Sequence, residues 1–140
     1  MIGISDLETM MKILLDTHVL LWALEDSPRL PFEIREEIIS ENNEVYVSVA
    51  SLWEIAIKHK KSPDKMPFSA SQIRDYCQRA GYIFLSISVD CISTYDTNDL
   101  SSHLDPFDQI LTCQSASHMM KLITHDEKIK KFNLGFVELI

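Results

Sequence analysis

The chain has 140 residues, of which 46% are apolar and 24% charged, with only 3 Gly and 5 Pro. That composition excludes disordered, collagen-like and low-complexity chains and leaves room for one core, with no second domain expected. Thirteen Lys and Arg against 21 Asp and Glu give a net charge of −8, which argues against a protein whose main work is coating a phosphate backbone. It does not exclude nucleic acid, because an enzyme that handles phosphodiesters through metal ions needs carboxylates, and these count as negative charge until the metals bind.

No apolar run approaches the ~20 residues that span a bilayer. Asp6 and Glu8 interrupt the first ten residues, so they do not read as a secretory leader, and a cytoplasmic location is expected. Cys77, Cys91 and Cys113 are widely spaced with no CxxC pair, which predicts packing and not a disulfide framework or a zinc site.

Lys12 to Asp16 (KILLD) reads as a strand ending in an acid, and Thr17 to Leu24 (THVLLWAL) switches to helical spacing. Pro28 and Pro31 mark a break. A charged helix follows to about Ser40, with Phe32, Ile34, Ile38 and Ile39 as its apolar stripe. Glu44 to Ser48 (EVYVS) has strand composition, and Ser48 can cap a helix to about Lys60. Beyond Pro63 and Pro67, Ser69 caps a helix carrying Ile73, Tyr76, Cys77 and Ala80 and ended by Gly81.

Tyr82 to Ile87 predicts a third strand and Val89 to Asp99 a short helix. Asp105-Pro106 reads as N-cap and first residue of a helix to about Met119. Lys121 to Thr124 is a fourth strand and Phe136 to Leu139 a weak fifth. Strands alternating with helices predict an α/β fold, a mostly parallel central sheet of four to five strands with helices on both faces. Trp22 and Trp53 read as core.

In open parallel sheets ligands bind beyond the carboxyl ends of the strands. Asp16 ends the first strand and Asp126 follows the fourth by one residue, while Glu54 and Asp108 lie in adjoining helices, so all four can converge on one edge. Each has an ordinary alternative. Asp16 can cap the Thr17 helix, Glu54 can pair with Lys58 one turn on, Asp108 can serve in a capping box with Asp105, and Asp126 can cap Glu127 to Phe132. The apolar neighbours of Glu54 imply instead a covered helix, where an acid needs a partner.

Carboxylates within ~4 Å repel by about 4 kcal/mol per pair at an effective dielectric of 20, so a converged set requires cations or raised pKa values. Oxygen-only ligands favour Mg²⁺ or Mn²⁺, and two such ions can clamp the attacking water and the leaving oxygen of a phosphodiester. A receiver-type phosphoryl acceptor would need an acidic pair at the first strand and an Asp after the third, where Leu85-Ser86-Ile87 offers none. Ser or Cys nucleophile schemes lack an organised His and acid partner.

The strings LLDTHVLLWAL (14 to 24), EVYVSVASLWEIAIKHK (44 to 60), HLDPFDQILTCQSA (103 to 116) and LITHDEKI (122 to 129) resemble the PIN domain, in its VapC-type toxin ribonuclease branch. The resemblance runs in order from about Met11 to the C-terminus as one PIN domain; Met1 to Met10 lies outside it, and Met11 is an alternative start. It implies a three-layer α/β/α fold and a Mg²⁺- or Mn²⁺-dependent endoribonuclease of a type II toxin-antitoxin pair. Asp16, Glu54, Asp108 and Asp126 would be its catalytic and metal-binding acids, with Thr17 and Thr124 as supporting hydroxyls.

A homodimer inhibited by a small cognate antitoxin is implied in the same way. The branch often carries Arg where this chain has Gln109, one fewer positive charge near the phosphate site, and small residues where it has Thr112, Cys113 and Ser115. Lys58, Lys60, Lys61 and Lys65 form the one basic cluster, a solvated loop or an RNA contact, and Lys60, Lys61 and Lys65 are the candidate RNA ligands. His18, His59, His103, His118 and His125 show no ligand spacing and read as packing or surface residues. The competing function is a non-catalytic PIN-like module that binds RNA or a protein; loss of one of the four acids would favour it, and none is lost.

Overall fold

The computed structural model describes residues 10–96, 105–130 and 137–140. Five strands, β1 (Lys12–Leu15), β2 (Glu44–Ser48), β3 (Ile83–Leu85), β4 (Lys121–Thr124) and β5 (Val137–Leu139), form one sheet in the order β3-β2-β1-β4-β5. Every pairing is parallel. The helices are α1 (Thr17–Leu24), α2 (Phe32–Ile39), α3 (Val49–Lys61), α4 (Ala70–Ala80), α5 (Val89–Ser93), α6 (Pro106–His118) and α7 (Glu127–Lys130).

β1 is central, and its alternation sorts the core. Ile13 and Leu15 pack on one face with Val19, Leu20, Ile55 and Ile73, while Leu14 joins Leu111, Cys113 and Leu122 on the other. Ile123 and Leu122 of β4 divide between the same two clusters, so helices cover both faces and the three-layer arrangement follows. Each such side chain contributes about 1.5–3 kcal/mol by leaving water. Among the described residues no helix is long and apolar enough to cross a membrane.

Local signals set most element ends. Asp16 caps α1, accepting from Val19 N, and Ser48 caps α3 through Ala50 N. Ser69 and Gln72 form a full capping box on α4, which ends at Gly81 with φ 82°, a left-handed turn where a side chain would be strained. Asp105 caps α6, with Pro106 as its first residue.

Some expectations are corrected. Trp53 is 64% exposed, because the buried side of α3 is set by Ala50, Ser51, Glu54 and Ile55; Trp22 is buried as expected. On α2 only Ile34 and Ile38 are buried, and Phe32 and Ile39 face solvent. β3 keeps three residues of the expected six, since it is an edge strand paired only with β2. The helix from Val89 gives way to a 3₁₀ turn at Thr94–Asp96, and its expected continuation falls, like residues 1–9, outside the described residues. Cys77, Cys91 and Cys113 are buried free thiols, and burial pushes Cys77 up to about 11, which suits packing and not reactivity.

Candidate active site

The strand order creates the site. The chain leaves β1 toward β2 but leaves β4 toward β5 on the other side, so a crevice opens beyond the carboxyl ends of β1 and β4. Asp16 stands directly after β1 and Asp126 two residues after β4. Glu54 enters from α3 and Asp108 from the first turn of α6. All four, with Asp105, line one cavity of about 250 Å³, and among the described residues Lys58 is the only lysine that lines it.

Asp16 is fixed on both oxygens. Oδ1 accepts from Val19 N at 2.8 Å, and Oδ2 accepts from Thr124 Oγ1 and from His125 N at 3.1 Å. The capping role expected of a strand-to-helix acid is therefore real, and it leaves the carboxylate pinned at the cavity rather than excluded from it. Thr124 Oγ1 also accepts from Asp126 N at 3.0 Å, tying the two strand-end acids through one hydroxyl. Asp126 Oδ1 accepts from Lys128 N at 2.9 Å and so starts α7.

Glu54 is 8% exposed and fully partnered. Thr17 Oγ1 donates to its Oε1 at 2.7 Å, with Ser51 Oγ 3.1 Å from the same hydroxyl, and Lys58 Nζ donates to Oε2 at 2.6 Å. The Glu54–Lys58 pair is thus half of a buried site, not the ordinary surface pair its spacing allows.

Asp108 is pushed up to about 8, first by burial, then by its hydrogen bond to Asp126 and by the charges of Asp105, Asp126 and Asp16. The folded state therefore holds a proton that the unfolded chain releases at ordinary carboxylate pH. The resulting stabilisation is complete below about pH 4 and is lost as pH rises toward about 8. In EDTA the melting temperature should accordingly fall with pH over that interval, and Asp108→Asn should show a smaller fall; equal pH profiles for the two proteins would contradict the shared proton.

Two carboxylates in this contact are stabilised by a proton or by a cation, and the donor set is all oxygen, which fits Mg²⁺ or Mn²⁺ and not zinc. Among the described residues no three acids, histidines or cysteines are already gathered at metal-holding positions. Glu54 Oε2 is engaged by Lys58, and Asp108 is hydrogen-bonded to Asp126. The set fits a hard cation in kind, provided that the lysine and the proton yield to it.

Thr17 donates to Glu54 and Thr124 to Asp16, pairings that no local sequence pattern gives. Lys61 and Lys65 line a second cavity of about 400 Å³ that shares Thr17, His18 and Lys58 with the acidic one, whereas Lys60 is not part of its lining. Gln109 lines a separate apolar cavity with Cys91, Ile92 and Tyr95, away from the acids. Asp105, a cap by its sequence, also lines the cavity, and Ser51 meets Thr17 through a contact with no local sequence signal. His125 also lines the site, its Nδ1 2.7 Å from Ile140 O and its ring edge-on to Trp22 at 4.9 Å.

No curated protein matches the sequence. Solved structures do. VapBC2 from Rickettsia felis, bound to a promoter DNA fragment, superposes with a TM-score of 0.68 at 19% identity, covering 92% of this chain and 98% of that one. DNA-bound VapBC from Salmonella typhimurium gives 0.67 at 15% identity over 92% and 98% of the two chains. A toxin-antitoxin complex from Klebsiella pneumoniae gives 0.61 at 19% identity over 90% and 95%. At these identities the likeness is one of fold. The sequence profile of the PIN domain matches residues 13–134, a span that contains all four acids, and the chain belongs to the PIN domain family.

Proposed function

We propose that this chain is a Mg²⁺- or Mn²⁺-dependent endoribonuclease, the VapC-type toxin of a type II toxin-antitoxin pair. The observation that supports it most is the single cavity lined by Asp16, Glu54, Asp108 and Asp126, drawn from four separate elements. In this reading the four acids hold the metal, Thr17 and Thr124 orient them, and Lys60, Lys61 and Lys65, all exposed, bind the RNA backbone. The toxin-antitoxin complexes of similar fold support a cognate antitoxin as partner. A homodimer in the cytoplasm, with residues 11–140 as one PIN domain and 1–10 as an extension, completes the proposal.

When bound, the metal supplies a lowered water pKa and charge neutralisation at the phosphodiester. The protein does the positioning. Asp16 cannot rotate, because two backbone N–H groups and the Thr124 hydroxyl hold its oxygens. Thr17 fixes one oxygen of Glu54, and the rigid first turn of α6 carries Asp108 opposite the strand ends. Asp16, held in this way, needs little reorganisation when an ion enters.

The purified protein should cleave a mixture of structured RNAs with Mn²⁺ or Mg²⁺, stop in EDTA and recover on adding excess Mn²⁺. Undiminished cleavage in EDTA would overturn the metal mechanism. RNA binding with no cleavage under Mn²⁺ would replace it with a binding module.

A further inference from the structure

Lys58 belongs to two cavities at once. Its ammonium holds Glu54 Oε2 at 2.6 Å in the acidic cavity, and its side chain also lines the neighbouring one, with Lys61 and Lys65. Among the described residues no carboxylate lines that second cavity, although the chain as a whole carries a net charge of −8. It is a local concentration of positive charge in an acidic protein.

The two ends of the ion pair differ in freedom. The Glu54 side chain is 10% exposed and held at its other oxygen by Thr17, whereas the Lys58 side chain is 47% exposed on a flexible stem. If one partner moves, it is the lysine. Lys61 sits one turn further along α3, and Lys65 follows in a turn tied back by Met66 N to Ser62 O at 3.0 Å and by His59 Nδ1 to Met66 O at 2.8 Å. The three ammonium groups thus flank the cavity from fixed backbone.

We propose that Lys58 is a two-position cation: it neutralises Glu54 while no RNA is bound, and moves to a phosphate oxygen of RNA entering the lysine cavity, which frees Glu54 Oε2 for the divalent cation. The inference rests on the nuclease reading and deepens it, because it couples substrate binding to assembly of the metal site. RNA phosphate and divalent cation then help each other bind, by a coupling typically worth about 5–150-fold.

The test compares Lys58→Met with Lys61→Met, both checked for folding by circular dichroism, with Lys58→Gln as a second variant that retains a donor. Manganese affinity without RNA is read from the electron paramagnetic resonance signal of free Mn²⁺. Binding of a short single-stranded RNA is read in EDTA across a salt series. Lys58→Met and Lys58→Gln should bind Mn²⁺ about tenfold more tightly than wild type, within the usual range of such couplings. They should also lose about one unit of salt slope on RNA, and RNA should enhance their Mn²⁺ binding less than it does for wild type. Lys61→Met should lose a similar slope with Mn²⁺ affinity unchanged.

Unchanged or weaker Mn²⁺ binding in the Lys58 variants, or an unchanged salt slope, would make Lys58 a fixed strut for Glu54 and overturn the proposal. Equal tightening by Lys61→Met would also overturn it, as a mere effect of removed charge. A wild-type protein that binds neither Mn²⁺ nor RNA would instead defeat the nuclease reading itself.

Discussion

Asp108→Asn should abolish Mn²⁺-dependent RNA cleavage while Asp105→Asn keeps most of it, although the two acids lie three residues apart and line the same cavity. The difference lies in what each carboxylate already does. Asp105 Oδ1 accepts from Asp108 N at 2.9 Å and closes the start of α6, a task Asn performs about as well. Its loss of charge also relieves one of the repulsions that raise Asp108, so ionisation of Asp108 becomes easier.

Asp108 has no such structural duty for its carboxylate. Because Asp108 holds a proton up to about pH 8, its replacement by the neutral Asn costs little helix-dipole interaction near neutral pH and relieves crowding with Asp126. As a proposed metal ligand, however, it should cost at least about 100-fold in rate, beyond the 10–100-fold typical of an outer-shell partner. Melting temperatures with and without Mn²⁺ should show metal stabilisation in wild type and Asp105→Asn, and much less in Asp108→Asn. An inactive Asp105→Asn beside an active Asp108→Asn would reverse the assignment.

Thr124→Val should damage both stability and activity, because one buried hydroxyl serves two acids. Thr124 is fully buried at the end of β4, donates to Asp16 Oδ2 and accepts from Asp126 N at 3.0 Å. Valine keeps the shape and removes both bonds, leaving Asp126 N unpaired and Asp16 Oδ2 with His125 N alone, at a cost of about 1–3 kcal/mol. Against a typical total of about 5–15 kcal/mol, that lowers the melting temperature by several degrees. With Asp16 less firmly oriented, cleavage should fall roughly 10–100-fold. Thr124→Ser, which keeps the hydroxyl, should restore most of both; a Val variant with wild-type Tm and rate would show that the hydroxyl positions nothing of consequence.

Which residues make each element was largely written in short-range pattern. KILL and EVYVS are strands by composition; Asp16, Ser48, Ser69 and Asp105 start helices because their side chains reach an N–H two or three residues on; Gly81 stops one because it accepts φ 82°. The four acids were legible for the same reason, since an acid after an apolar strand or in a first helical turn is a local feature. Their gathering in one cavity, by contrast, depends on β4 lying beside β1 rather than beside β3, which no local pattern encodes.

Helix faces were legible only in part. The periodicity of α3 shows an amphipathic helix, yet the packing of Ile55 and Ala50 against the sheet is what turns Trp53 outward, and α2 likewise buries Ile34 and Ile38 at the expense of Phe32 and Ile39. The Asp16 cap and the Glu54–Lys58 pair are local and legible, but the rest of the site's electrostatics was decided by tertiary structure. Thr17 meets Glu54 across 37 positions and Thr124 meets Asp16 across 108, and the raised pKa of Asp108 comes from burial and from acids on other elements. Hydrogen-bond caps and turn preferences act within about four residues, so sequence alone determined the elements and the identity of the acids. Coulomb forces and desolvation act through space, so only the folded chain decides which acid is pinned at both oxygens and which shares a proton.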